Sequence, residues 1–220
     1  MKRNDWLFWD IDTQVDFIHP DGKLYVPTAE TLTENLERLT TTALAEGVPI
    51  FASADDHELA DDEISEQPDF QDTFPPHCMR GTAGAARIAE TTVAGARALG
   101  PSAIPAEEIA ALLDDRPAVI FLKKTFDVFS NPNTEKLLDA LDPARVVVYG
   151  VALDICNRYA VEGLLARNRR VTLITDATAA IDSHRGENLL RSWSDRGVEL
   201  MTCDDFLAEN FQTARVEASP

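Results

Sequence analysis

The sequence predicts an α/β fold built on a six-stranded, mostly parallel sheet with helices on both faces. Three observations predict it. Six short runs rich in Val, Ile and Phe recur along the chain. Most of them are separated by segments whose apolar residues fall at helical spacing, the alternation that builds a parallel sheet covered on both sides. No internal repeat of ~20–50 residues and no low-complexity tract interrupts the pattern, which excludes solenoids and propellers. Crossovers between parallel neighbours are then expected to be right-handed.

The elements follow in order. Leu7 to Asp12 is a short apolar run ending in a carboxylate and reads as the first strand. Thr31 to Glu46 carries Leu32, Leu36, Leu39 and Ala43 at helical spacing, with Gly47 as the stop. Val48 to Ala54 is a second strand, followed by Asp55, and Val119 to Leu122 a third, followed by Lys123. Pro132 to Leu141 predicts a helix with Asn131 as N-cap and Pro132 in its first turn. Val146 to Val151 is a strand, Ile155 to Asn168 a helix and Val171 to Thr175 a strand. Arg185 to Arg196 is a helix stopped by Gly197, and Val198 to Thr202 a last strand, followed by a short acidic helix. Asp55 to Gly84 and roughly Thr92 to Pro105 lack a regular pattern, and long irregular stretches inside a compact unit usually serve function.

Composition bounds the rest. The chain of 220 residues is close to one domain at ~150 residues each and is read as a single domain, 1–220, with an irregular loop at 55–84. It is 45% hydrophobic and 26% charged, which excludes collagen-like and disordered classes. A net charge of −18 opposes binding to nucleic acid and to anionic membranes. The apolar runs are too short for a signal-peptide core or a membrane span. Three cysteines without paired spacing argue against a disulfide framework, so a cytoplasmic location with reduced thiols is expected.

Ligands of open parallel sheets sit at the carboxyl ends of the strands. The residues there are Asp12, Asp55, Lys123 and, one turn past Val151, Cys156. A free cysteine is most often a small buried hydrophobe, and single Asp or Lys residues at strand ends are common. Together, however, a carboxylate, an ammonium and a thiol form a coherent nucleophilic set. The acid can take the thiol proton, and the lysine balances the charges. Gly150-Val-Ala-Leu-Asp-Ile-Cys156 places the thiol near a helix N-terminus, which favours a thiolate and later an oxyanion. A second constellation joins Asp55 and His57, on one side of an extended segment, to His77 about twenty residues on. Three N/O ligands with open positions suit a metal site; the alternative is a pair of surface histidines in a polar loop. Between Asp55 and Asp72 stand nine acids and no Lys or Arg, a run expected to be a solvated surface. His19 is expected in a turn, His184 at a helix start, Cys78 packed under the loop, and Cys203 in a structural role.

These motifs together resemble the isochorismatase-like cysteine hydrolases, and within them the nicotinamidase-related branch, over about Leu7 to Met201. Asp12-Thr-Gln-Val-Asp-Phe17 is similar to the family's first-strand motif, whose leading Asp is the acid/base. Lys123-Lys-Thr-Phe-Asp-Val-Phe129 is similar to the segment with its catalytic Lys, and Gly150 to Cys156 to its nucleophile motif. Asp55-Asp-His57 and Phe74-Pro-Pro-His77 match the metal ligands of nicotinamidases. The resemblance implies a Rossmann-like fold and a cis bond between Val151 and Ala152. It also implies Asp12, Lys123 and Cys156 as the catalytic set, with Ala152 and Cys156 N–H groups as oxyanion donors. A divalent metal, Zn with Fe or Mn as alternatives, is implied on Asp55, His57 and His77, and Phe17, Phe74, Phe129 and Ile155 are assigned to the apolar substrate wall. The implied reaction is hydrolysis of a small-molecule amide through a thioester with release of ammonia, in a homodimer or homotetramer. Asp127, Ile155 and Phe74 depart from the common pattern, and Ala83 to Pro117 matches no family segment. The departures leave an amidase for N-carbamoyl or open-chain amides as one alternative. A catalytically dead acidic interaction protein is another.

Overall fold

The computed structural model describes residues 5–115 and 118–211. Among these residues, seven strands form one sheet: β1 (Trp6–Ile11), β2 (Ile50–Asp55), β3 (Arg97–Leu99), β4 (Ala118–Lys123), β5 (Arg145–Val151), β6 (Val171–Ala179) and β7 (Glu199–Met201). The order is β3-β4-β2-β1-β5-β6-β7, and every ladder is parallel. The helices are α1 (Val15–Ile18), α2 (Thr33–Glu46), α3 (Ala106–Asp115), α4 (Thr134–Leu141), α5 (Cys156–Ala166), α6 (Ser183–Asp195) and α7 (Cys203–Phe211).

The sheet therefore has seven strands where six were expected. The addition is β3, at the edge beside β4. Three residues with only Leu99 buried leave no periodic signal in the sequence. Its neighbour α3 lies in the same segment and was likewise unanticipated; Arg116 and Pro117, at the end of that segment, lie outside the described residues. Strand β6 runs on to Ala179, past an irregularity in register against β5 between Val148 and Gly150. The helix predicted from Pro132 begins at Thr134, with Asn133 in the capping position. Asn131 is diverted: its side-chain amide donates to the carbonyls of Leu99, Gly100 and Leu122, tying the ends of β3 and β4 together. Its Oδ1 still accepts the Asn133 N–H at 3.0 Å, just ahead of the helix.

Strand periodicity assigns the faces. On one face, Trp6 and Phe8 of β1 pack edgewise or tilted on Phe206 of α7, at 5.5 and 5.7 Å between ring centres. Beside α7 lies α2, buried through Leu36, Leu39 and Ala43 and linked to it by the Arg38–Asp204 ion pair at 2.6 Å. On the opposite face, Trp9 packs against Phe51, Phe121 and Phe129 beneath α4 and α5. The indole of Trp193 in α6 donates to Glu162 of α5 at 2.8 Å. These groups belong to one contiguous apolar core.

Strand β1 leads to β2 on one side, while β5 leads to β6 on the other. The carboxyl ends of β1 and β5 therefore border the point where the winding reverses, where α/β sheets hold ligands. Gly150 makes that closeness possible. Its φ is +104°, and a Cβ there would lie 2.1 Å from the Ile11 carbonyl oxygen. Only glycine lets β5 approach β1 at this level.

Candidate active and metal site

Each strand end delivers one chemical group. Asp12 follows β1 with φ +47°, a left-handed conformation that turns the chain toward α1. Its Oδ1 accepts a hydrogen bond from Ser53 Oγ at 2.6 Å. Asp55 and Lys123 end β2 and β4 as register partners, so their side chains leave the sheet on the same face. Cys156 begins α5, which starts on that same face above β5. Lys123 Nζ lies 2.9 Å from Asp12 Oδ2, in hydrogen-bond contact with Asp55 Oδ1, and 3.6 Å from Cys156 Sγ. A carboxylate oxygen of Asp12, one of Asp55 and the Cys156 sulfur lie within 4.8 Å of one another. All four residues are buried.

Burial and charge set the protonation of this group. Burial works to neutralise Lys123, but the Asp12 and Asp55 carboxylates outweigh it and hold its pKa well above the ordinary lysine value. Burial lifts the Asp12 carboxyl above its usual range; Lys123 pulls it down and the Asp55 charge adds to the rise. Burial also pushes the Cys156 thiol well up, against the pull of Lys123. The resting state is thus a thiol beside an acid of raised basicity and a fixed cation. The Val151–Ala152 peptide is cis. Among the described residues, neither the Ala152 nor the Cys156 N–H donates to a protein acceptor, so these two groups can meet an anion, whereas the next N–H, that of Asn157, is spent on the Ala152 carbonyl at 3.0 Å.

On the far side of Asp55 lies a second cluster. Asp55, His57, Glu63 and His77 each present one ligand atom, all within 4.8 Å of one another. His57 Nε2 and His77 Nε2 each stand 3.7 Å from Asp55 Oδ2, and Glu63 Oε1 is 3.9 and 3.7 Å from them. Both Nε2 atoms are buried without a hydrogen-bond partner. Of the other ring nitrogens, His77 Nδ1 meets the Pro75 carbonyl at 2.8 Å, while His57 Nδ1 stands 3.4 Å from Asp61 without a hydrogen bond. Ligating histidines are oriented in this way in metal centres. Burial and the Asp55 charge push the Glu63 carboxyl up to about 7, a repulsion that a cation would relieve. Two imidazoles and two carboxylates around two orphaned nitrogens fit a divalent first-row metal.

Glu63 was hidden in the acidic run expected to be solvated. That run is not uniform: Asp55 and Glu63 are buried, while Asp69 and Asp72 are exposed. Glu63 is drawn inward because Glu63–Ser65 pairs with Phe74 through bonds of 2.8 and 2.9 Å. The only sequence cue is Ile64, an isolated apolar residue among the acids.

A cleft of about 310 Å³ opens over Cys156 and the metal cluster, lined by Phe17, Leu24, Val26, Asp55, Glu63, Phe74, His77, Phe126, Ala152, Ile155, Cys156 and Ile181. Phe17, Phe74 and Ile155 thus stand in the expected wall. Phe129 does not. It sits in the short turn Val128–Ser130, packs on Trp9 at 5.7 Å, and lies under the Arg167 guanidinium at 3.9 Å. Phe126, three residues earlier, takes the place in the wall and meets Phe74 edge-on at 5.7 Å. Asp127 also stays out of the cleft, capping that turn by accepting the Phe129 N–H at 2.9 Å. His19 and His184 are exposed, in a turn and in the first turn of α6, and Cys78 and Cys203 are buried.

The isochorismatase domain model matches residues 10–205. The chain belongs to the isochorismatase family. Family members are hydrolases, and the match runs from β1 to α7, spanning every residue of both clusters. No curated protein matches the chain. Among solved structures, a pyrazinamidase/nicotinamidase from Streptococcus mutans is 21% identical, over 89% of this chain and 99% of its own, with a TM-score of 0.70. An N-carbamoylsarcosine amidase from Thermoplasma acidophilum is 23% identical, over 91% and 97%, at 0.69. A pyrazinamidase from Pyrococcus horikoshii, solved in complex with zinc, is 22% identical, over 90% and 99%, at 0.67. These likenesses establish the isochorismatase-family fold. Among the described residues, no helix is long and apolar enough to cross a membrane.

Proposed function

We propose that this protein is a cysteine amidohydrolase that cleaves a small, largely apolar primary amide through a thioester and releases ammonia. The observation that carries the reading is the convergence of Asp12 and Cys156 on the Lys123 ammonium, with Cys156 lining the cleft. Asp12 takes the Cys156 proton as the sulfur attacks the amide carbonyl, and Lys123 holds the resulting charges in balance. The oxyanion is received by the Ala152 and Cys156 N–H groups at the start of α5; one such donor is worth ~2.7–4 kcal/mol in another hydrolase. Asp12 returns its proton to the departing nitrogen, which leaves as ammonia. Water then opens the thioester, with Asp12 again accepting the proton. Asp55, His57, Glu63 and His77 would hold a divalent cation, zinc or else iron or manganese, which when bound would supply a Lewis acid for the polar end of the substrate.

The cleft lining mixes two kinds of apolar side chain. Phe17, Phe74 and Phe126 offer aromatic faces and edges suited to nicotinamide-like rings. Leu24, Val26, Ile155 and Ile181 offer only aliphatic surface, and this favours the second reading, an open-chain or N-carbamoyl amide. A panel of nicotinamide, pyrazinamide, an N-carbamoyl amino acid and an aliphatic primary amide, read by ammonia release, separates the two. Cys156→Ala should fold normally and lose turnover by ~10³-fold or more. Undiminished hydrolysis by that variant removes the nucleophile assignment. Assembly as a homodimer or homotetramer belongs to the same proposal.

A further inference from the structure

The two halves of the metal cluster come from different parts of the chain. Asp55 ends β2, whereas His77 belongs to the long loop that follows it. The short turn after Asp12 touches both. Gln14 is fully buried, and its side-chain amide is completely used. Its Nε2 donates to the Asp55 carbonyl and to the Ala85 carbonyl, each at 2.8 Å, and its Oε1 accepts the Asp55 N–H at 2.7 Å. Asp16, two residues on, is buried as well. Its Oδ2 accepts the Cys78 N–H at 2.7 Å, next to His77, and its Oδ1 accepts the Lys23 N–H at 3.0 Å. Gly84 backs the Asp16 carboxylate so closely that a Cβ there would lie 2.3 Å from it. Between them, Phe17 meets the His77 ring at 5.3 Å.

We infer that the Gln14–Asp16 turn is the bracket that sets the metal-ligand geometry, with Gln14 fixing Asp55 and Asp16 fixing His77. Neither residue reaches the cation site itself; both are positioning residues. Because Gln14 grips the backbone of Asp55 on both its N–H and its C=O, it fixes the point from which the Asp55 side chain reaches Lys123 and the histidines. Because Asp16 spends each oxygen on a different backbone N–H, its amide cannot replace it: one oxygen becomes an NH₂ group facing a donor. The inference rests on the reading of Asp55, His57, Glu63 and His77 as a cation site.

The test uses the full-length protein, stripped with chelator and titrated with Zn²⁺ against a chromophoric competitor. Gln14→Glu keeps the size of the side chain but loses both donors, and Asp16→Asn loses one acceptor. Each is expected to weaken zinc ~10–100-fold, the usual effect of removing an outer support of a metal ligand. The far-UV spectrum should be unchanged, and the Co²⁺-substituted form should have an altered visible spectrum, a readout of ligand geometry that simple loss of stability does not produce. Gly84→Ala, which pushes on the Asp16 carboxylate from behind, supplies a third variant should Asp16→Asn fail to fold. Folded variants with parent-like zinc affinity and cobalt spectra overturn the bracket and leave the cation site standing. A parent protein that binds none of Zn²⁺, Fe²⁺ and Mn²⁺ overturns both.

Discussion

Replacing Arg87 with Met should cost about 3–5 kcal/mol at neutral pH, the range for breaking one side of a buried ion pair. Arg87 comes from the loop between β2 and β3 and pairs with Asp10, near the carboxyl end of the apolar β1. Both side chains are shielded, at 9% and 1% exposure. The guanidinium also donates to Thr13 Oγ1 at 3.0 Å, to the Ser53 carbonyl at 3.3 Å and to the Thr91 carbonyl at 3.4 Å. Met keeps the bulk and removes every donor. Burial already raises the Asp10 carboxyl, with Arg87 opposing the rise. A raised folded-state pKa means that the group favours folding most below its unfolded value of ~3.9 and that this contribution is lost as pH climbs through the folded value. Without Arg87 the folded value rises further, so the penalty of the variant is largest above neutrality and shrinks on acidification, when Asp10 takes a proton. Urea unfolding followed by fluorescence of the buried Trp9 and Trp193, at about pH 7.5 and about pH 5.5, measures both. The melting temperature should fall by roughly 6–20 °C for a chain of this size. Adding Asp10→Asn should recover part of the loss, because it removes the unpaired charge. A loss below ~1 kcal/mol at the higher pH, or one that grows on acidification, refutes the reasoning.

Gly150→Ala should destabilise by well over ~1 kcal/mol, since it forces a Cβ into the Ile11 carbonyl at a positive φ; thermal unfolding checks it, and a neutral result would mean β1 and β5 can part. Phe126→Ala and Phe129→Ala should separate cleanly. The first should raise KM for the preferred amide with little change in melting temperature. The second should lower stability by about 2 kcal/mol through lost contact with Trp9 and Arg167, leaving KM alone. Reversed effects would return Phe129 to the cleft wall.

The central strands and their chemistry were legible because two signals coincide there. Runs such as Val146–Val151 are apolar enough to be unmistakable, and the residue ending each one is polar where polarity needs a reason. Asp12, Lys123 and Cys156 could be grouped before any coordinates because parallel topology fixes which ends of strands meet. What escaped has equally local causes. A three-residue edge strand such as β3 has no period to detect. Glu63 is chemically identical to its exposed neighbours, and only pairing with Phe74, across the loop, turns it inward. Phe126 and Phe129 lie three apart in a segment that a short turn folds back, so spacing alone could not say which ring faces the cleft. Asn131 accepts the Asn133 N–H ahead of the helix, but its donors go to three carbonyls at the ends of two strands, a tertiary demand that local propensity does not register.

The two oxygens of Asp55 point to different neighbours, one to the lysine above the sulfur and one to the paired imidazoles. Under the proposed function, any change of side chain at that position would disturb the Lys123 group and the cation site together. A laboratory wishing to alter the proposed cation site alone must edit the histidine side or Glu63, because position 55 also anchors Lys123 and cannot be altered for one purpose alone.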